Sequence, residues 1–421
     1  MKLQKNLSFY MLGRFISYIG TGIQQIAMPL YILDITHSAI MMGIFSALNL
    51  LPNVITLPFA GILGDRKNRK NIMVITDIGR GVLILTLGLL ASWNSLNIYI
   101  LFLIQIFISI MDSIFSASST AILPELIKEE ELMKAMSLRG GSDAISMIIG
   151  PSLGGIIYGL WGIKTVFCLN GLSFILSAVS SVLIIYKNAN DKEGKITLKS
   201  FFIENASVVS FITKNKALNQ LFLFCLLINF LVAPFFDIVF PYVLKKCVGF
   251  NSEQYGYLIS CFTVGILLGN IAIGIYLKSF STKIVIKVAI LLQAAMLFIL
   301  TFSVYPNFIN YLGGHDLKLF IILAIVILLS GLFNSGINTP INVNLQKMVP
   351  NEMRARFFAI LGVFCQGAVP FGSLIYGFVL GKFAYQYVLL IVTIIFLVAC
   401  FIFIIKAVAE VYEPQILHSQ I

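Results

Sequence analysis

Charge is scarce in this chain. Asp, Glu, Lys and Arg make up 11% of its 421 residues, where a soluble globular protein carries roughly a quarter. With 59% of the residues hydrophobic, a water-facing fold is excluded and a polytopic membrane protein is implied. The six cysteines (Cys168, Cys225, Cys247, Cys261, Cys365, Cys400) show no paired spacing and no Cys-x-x-Cys, which argues against a disulfide framework or a zinc site. The three histidines (His37, His315, His418) stand far apart, in stretches read as loops or tail, so a histidine metal centre is not expected. There is no GxxxxGK[ST] loop, and Gly162-Ile163-Lys164-Thr165 copies only its end; ATP hydrolysis is therefore not expected. HExxH is also missing, so an enzyme is not expected, nor a cofactor or metal.

Long apolar runs fill the rest. A helix needs about 20 mostly apolar residues to cross the hydrocarbon core. Twelve runs meet that length: 9–33, 39–63, 71–93, 98–122, 137–160, 164–186, 219–243, 254–277, 284–304, 319–342, 357–381 and 384–405. They lack the period-two alternation of barrel strands, so helices are predicted. The first run exceeds a signal-peptide core and has no small-residue cleavage site, so it reads as a first span.

The net charge of +11 could point to nucleic acid, but its placement does not. With the N-terminus inside, five of the 29 Lys and Arg fall outside (Lys164, Lys245, Lys246, Lys318, Lys382) and two deep within spans (Arg14, Arg80), while Arg139 and Lys287 sit at the cytoplasmic ends of theirs and are counted as inside. The other 22 fall inside. That asymmetry orients a chain by the positive-inside rule and places both termini in the cytoplasm. The basic balance reports topology, and no nucleic-acid partner is expected.

One long polar stretch, about Lys187 to Asn219, separates six spans from six. The organisation predicted is an N-terminal bundle at residues 1–186, a cytoplasmic linker at 187–218, and a C-terminal bundle with a short tail at 219–421. The halves echo each other at a common offset. Gly61 matches Gly274, Pro151 matches Pro370, and Tyr158-Gly159 matches Tyr376-Gly377. Glu131-Leu132-Met133-Lys134-Ala135 resembles Asn351-Glu352-Met353-Arg354-Ala355. Internal repeats with a midplane site between them suit a carrier. The fold class is thus an all-α membrane protein of twelve transmembrane helices in two pseudo-symmetric six-helix bundles.

The densest charge lies between the second and third runs, in Gly61-Ile62-Leu63-Gly64-Asp65-Arg66-Lys67-Asn68-Arg69-Lys70. With Met73 it resembles the loop 2–3 signature of the major facilitator superfamily, with Asn68 where that pattern has Gly. Asn tolerates left-handed backbone better than most residues, so the turn survives the change. The resemblance implies a gate formed by Gly61, Asp65, Arg66 and Arg69, in which Asp65 meets the start of span eleven near Phe357. A purely topogenic basic loop is the plainer alternative.

Span five carries Ser146-x-x-x-Gly150-Pro151-x-x-Gly154-Gly155, which resembles the antiporter signature of the superfamily's exporting branches. Glycines four apart let helices approach closely, and Pro151, lacking an N–H, is expected to kink the helix at Met147. Ordinary membrane-helix packing would use the same residues. Ala121-Ile122-Leu123-Pro124-Glu125-Leu126 and Gly13-Arg14-Phe15-Ile16-Ser17-Tyr18-Ile19-Gly20 are similar to the macrolide-efflux and siderophore-exporter branch.

Ionisable residues within spans cost about 2.5–3.5 kcal/mol to insert, so they are kept for a use. Asp112 lies mid-span in the fourth helix with Ser116 and Ser119 on its face, and is the candidate for proton coupling; a structural hydrogen bond is the alternative. Arg14, Ser17, Thr21 and Gln24 form a polar stripe on span one, predicted to face a cavity. Asn229 and Asp237 on span seven, and Asn334 and Asn338 on span ten, are the corresponding polar groups of the second half. Asp77 with Arg80, and Arg139 with Asp143, have the spacing of local ion pairs.

The resemblance implies a secondary active transporter working by alternating access, and proton-coupled export of amphipathic drug- or macrolide-type molecules. Siderophore export and lysophospholipid transport by the same fold are alternatives, and a non-transporting membrane scaffold or sensor is a different class. The expected partners are an amphipathic small molecule, protons and the lipid bilayer. The expected state is a monomer in the cytoplasmic membrane of a bacterium.

Overall fold

The computed structural model describes residues 2–127, 129–186, 198–275, 280–314 and 316–414, and these hold helices and no strand. In chain order the first are α1 (Lys2–Thr36), α2 (Ala39–Arg66), α3 (Arg69–Ser92), α4 (Ile98–Ile122) and α5 (Glu129–Val182). α6 (Leu198–Lys214), α7 (Lys216–Pro234), α8 (Phe240–Tyr242) and α9 (Ser252–Ile275) follow. The last are α10 (Thr282–Ser303), α11 (Pro306–Leu312), α12 (Leu317–Met348), α13 (Asn351–Lys382), α14 (Tyr385–Lys406) and α15 (Ala409–Tyr412).

Several starts follow from one residue type. Asn68, Asn97, Asn215 and Ser281 each take an extended backbone and accept a hydrogen bond from an N–H in the first turn beyond. Such caps satisfy donors that the helix itself leaves open. Asn68 therefore works as the cap of α3, with its side chain accepting from Asn71 N at 3.1 Å.

Among the described residues, ten helices are long and apolar enough to cross a membrane. One of them, α5, is 54 residues long and carries spans five and six. The break falls at Gly162, with φ 73° and ψ −177°, a conformation open in practice only to glycine. α1, at 35 residues, supplies the remaining span. The polar stripe through Arg14, Ser17, Thr21 and Gln24 makes it less apolar than the others. Twelve spans result, six in each bundle. The backbone keeps helical dihedrals through Pro151, and the non-helical residue of α5 is Gly162, between the two spans.

Span seven has an unpredicted shape. α7 passes into a π-helical stretch at Phe235–Val239, then α8, then a second π-helical stretch at Val243–Val248. Pro234 and Pro241 lack the N–H that an α-helical ladder needs, and the wider spacing takes over around them.

Contacts divide the chain into two compact units. One is Met1–His37 and Ile44–Leu198 with Ser252–Gly256; the other is Ser38–Gly43 and Lys199–Asn251 with Tyr257–Ile421. In the first, α1 packs along α5, and α3 packs on both α4 and α5. At one end Tyr10, Met73, Phe115, Ile122, Leu126 and Ile184 form a closed core. In the second, α10 packs on α12 and α14, and α13 packs on α7. Residues such as Ile75, Leu103, Phe401 and Ile405 are exposed, as side chains facing hydrocarbon must be.

The stretch read as a linker is more than a tether. Residues 187–197 lie outside the described ones, but α6 buries Val208 and Ile212 in the second unit's core beside Leu218, Leu221 and Phe357. The chain's end joins the same core through Val411 and Tyr412. Asn344 Nδ2 donates to the carbonyls of Val411 (2.9 Å) and Tyr412 (3.2 Å). Gln220 accepts from Val408 N and donates to Lys406 O.

Candidate functional site

The first unit holds an open cavity of about 370 Å³. α1 contributes Ser17, Tyr18, Thr21, Gly22 and Gln25; α2 contributes Asn53; α3 contributes Arg80; α4 contributes Asp112, Phe115 and Ser116. Met147, Pro151 and Phe174 of α5 complete it. Hydroxyl, amide and charged groups here alternate with aromatic rings, so the wall suits a molecule that is itself part polar and part apolar.

Its most concentrated chemistry is one guanidinium held by two carboxylates. Arg80 donates from Nη1 to Asp112 and from Nη2 to Asp77. Asp77 is wholly buried and also accepts from Ser177 Oγ at 2.7 Å. Asp112 is 27% exposed and faces the cavity. The Arg80 Cζ lies 4.3 Å from the ring centre of Phe115 and 4.2 Å from that of Phe174, a cation between two π faces. With both carboxylates ionised the cluster carries one negative charge in excess, and Asp112 is the member a ligand can reach. The i, i+3 spacing of Asp77 and Arg80 is a true pair, but it is half of the arrangement. Asp112 stands 32 residues from Arg80, and no local spacing rule connects them.

A second buried cation lies on α1. Arg14 grips Asp143 of α5 through Nε–Oδ1 at 2.6 Å and Nη2–Oδ2 at 2.8 Å. It also donates to Tyr18 Oη (2.6 Å) and Ser119 Oγ (3.0 Å). Arg139, the partner that spacing suggested for Asp143, is farther away at 3.7 Å. Arg14 is 4% exposed, so it is a structural tie between α1 and α5 and does not reach for the surface.

The other predicted residues divide between wall and packing. Thr21 lines the cavity and Ser116 joins it, whereas Gln24 turns away and accepts from Asn170 Nδ2 at 2.6 Å. Asn229, Asn334 and Asn338 come together in a pocket of about 60 Å³ in the second unit. Asn338 donates to Asn334 Oδ1 at 3.0 Å, and Asn229 Nδ2 donates to Cys225 O at 2.8 Å. Asp237 sits in the π-helical stretch after Pro234 and lines neither the cavity nor the pocket. The phenylalanines of span seven mostly pack: Phe224 stacks on Phe403 at 3.9 Å, and Phe235 and Phe240 are buried.

The span-five glycines are points of close approach. A Cβ on Gly150 would stand 2.8 Å from Gly22 Cα, and one on Gly154 would stand 2.5 Å from the Ile23 carbonyl oxygen. Gly155 meets Gly256 in the opening turn of α9, which belongs to the first unit. α1 and α5 thus touch backbone to backbone directly beside the cavity.

A sequence model of the Major Facilitator Superfamily matches residues 10–244 and again 222–415. The chain belongs to the major facilitator superfamily. It is a multi-pass membrane transporter. Macrolide efflux protein A of Streptococcus pyogenes is 23% identical over 371 residues, covering 88% of each chain. Multidrug resistance protein 2 of Bacillus subtilis is 24% identical over 307 residues, covering 71% of this chain and 73% of the relative. Among solved structures, a bacterial homologue of the iron transporter ferroportin in an inward-facing state superposes with a TM-score of 0.73 at 15% identity, covering 96% and 99%. That structural likeness concerns the fold.

In this superfamily member the loop 2–3 motif is partly in view. The side chains of Gly61, Asp65 and Arg66 lie outside the described residues. Arg69 donates to Ala121 O at 2.9 Å and to Glu125 Oε1 at 2.7 Å. Glu125 in turn accepts from Tyr186 Oη. Burial, and then this bond to a carboxylate, pushes the Tyr186 hydroxyl up to about 12, so it remains a donor at any physiological pH.

Proposed function

We propose that this transporter exports an amphipathic small molecule in exchange for protons, by alternating access, from the cytoplasm of a bacterium. The observation that carries the reading is the Arg80 bridge between Asp77 and Asp112 in the cavity wall. Its excess carboxylate is neutralised either by a proton on Asp112 or by a cationic group on the substrate, and one occupant displaces the other. Such competition couples two fluxes, because each ligand shifts the same equilibrium in opposite senses. Tyr18, Phe115 and Phe174 supply apolar area, and Ser17, Thr21, Gln25, Asn53 and Ser116 supply hydrogen bonds. The names of the relatives, macrolide efflux and multidrug resistance proteins, support drug-type cargo. Gly61, Asp65, Arg66 and Arg69 would work the cytoplasmic gate, and Gly150, Pro151, Gly154 and Gly155 would let α5 slide against α1. Asp237 would serve the outer end of the pathway.

The test uses proteoliposomes with an imposed pH gradient and a labelled macrolide. Wild type should accumulate substrate against its gradient, and collapse of the pH gradient should stop it. Asp112→Asn should retain downhill exchange and lose the response to the pH gradient. Equal gradient-driven uptake by wild type and Asp112→Asn would remove Asp112 from the coupling role.

A further inference from the structure

The two units differ in what their interiors offer. The cavity of the first has ions in its wall; the pocket of the second has amides and no ions. The pocket among α7, α10, α12 and α14 is lined by Asn229, Gln293, Asn334 and Asn338, and its other walls are apolar, including Phe224, Ile290 and Phe396. No charged side chain lines it. Gln293 was not singled out by the sequence, because a glutamine within a helix otherwise rich in Ile, Leu and Ala has no partner at helical spacing. Gln293 is 8% exposed, and among the described residues its Oε1 has no hydrogen-bond partner. A buried acceptor left open in this way is expensive to the fold, and such groups are normally satisfied.

From these features we infer that the pocket is a subsite for a neutral hydrogen-bond donor, a hydroxyl carried on an arm of the substrate. Three constraints lead there. Gln293 Oε1 accepts only, so the missing group must donate. With no counter-charge in the wall, a charged group would be desolvated without compensation, so the donor is neutral. At about 60 Å³ the pocket is well below the about 150 Å³ of a cavity that takes a benzene ring, so it has room for a hydroxyl and its carbon and none for a ring. Asn338, exposed in the wall, leaves the pocket open to entry. Asn229 spends one amide hydrogen on Cys225 O, which fixes its rotamer with Oδ1 left over as a second acceptor. The subsite rests on the export reading and adds to it the chemistry of the cargo: a molecule bearing hydroxyls as well as apolar surface.

The test measures equilibrium binding of two probes to purified full-length protein, together with the melting temperature of the ligand-free protein. Erythromycin carries hydroxyls; tetraphenylphosphonium carries no donor. Gln293→Met replaces the amide with an apolar chain of similar length. It should weaken erythromycin binding roughly five- to tenfold and leave tetraphenylphosphonium unchanged. The ligand-free protein should melt at the same or a higher temperature, since an open buried acceptor has been removed. Gln293→Asn, which keeps the acceptor on a shorter chain, should recover part of the erythromycin affinity. Equal loss for both probes, no loss for either, or a lower melting temperature for Gln293→Met overturns the subsite. Wild type that binds neither probe overturns the export reading itself, and with it the subsite.

Discussion

Arg14 and Asp143, 129 residues apart, form a two-point ion pair between α1 and α5, with both contacts at 2.6–2.8 Å. The guanidinium is almost fully buried and the carboxylate is 21% exposed. Removing one partner strands the other. Asp143→Ala should therefore destabilise the protein, toward the lower end of the about 3–5 kcal/mol typical of a broken buried pair. Arg14→Met with Asp143→Leu should restore much of the loss, because a well-packed apolar pair avoids the desolvation cost. Thermal unfolding in detergent of the two single variants and the double variant checks both statements.

Arg80 separates two carboxylates that otherwise face each other in low dielectric. Arg80→Met should be the most damaging single change in the first unit, read as loss of folded protein after membrane extraction. Adding Asp77→Asn and Asp112→Asn should return the folded yield, since the like charges are gone, while pH-driven flux stays absent. A folded, pH-responsive Arg80→Met protein would contradict the bridge as the organising centre of the cavity.

Gly154 tests the close contact beside the cavity. Its added methyl would stand 2.5 Å from a backbone oxygen, which cannot swing aside as a side chain does. Gly154→Ala should cost about 1–3 kcal/mol by overpacking. Gly140→Ala, where a Cβ meets nothing within 4 Å, should lack that penalty. The difference between the two melting temperatures is the measurement.

Asn344 is expected to matter out of proportion to its size. Its amide hydrogens satisfy two carbonyls of the buried tail. Asn344→Leu leaves both acceptors open, at about 1–3 kcal/mol each. Deleting residues 407–421 uncovers the core sites of Val411 (0% exposed) and Tyr412 (2%), and should lower the melting temperature further. Limited proteolysis should find the tail protected in wild type and cut in Asn344→Leu.

The sequence made some of this legible and left the rest hidden, for definite reasons. The twelve spans and the six-and-six division could be read because the bilayer fixes both length and polarity. Asp112, Thr21 and Ser116 could be found because polar groups within an apolar run stand out. What they pair with could not be found. Arg80 has a carboxylate three residues away and another 32 away, and only packing reveals that it takes both. Gln24 lies on the same stripe as Thr21, yet one faces Asn170 and the other the cavity. Their spacing differs by three residues, about 60° short of a full turn, and that rotation decides between them. The π-helical turns of span seven were announced only as two prolines, and Gln293 gave no signal until its unsatisfied oxygen was located.

Gly162 is the sole connection between spans five and six, a pivot with no loop around it. Two helices hinged at one residue cannot tilt independently over large angles, because no slack chain exists to absorb the strain. Any force that moves the Gly150–Gly155 face is therefore delivered straight to Phe174 and Ser177, which clasp Arg80 and Asp77. Gly162 in this way joins the glycine face that packs on α1 to the stretch that holds Arg80 and Asp77, through one residue of positive φ.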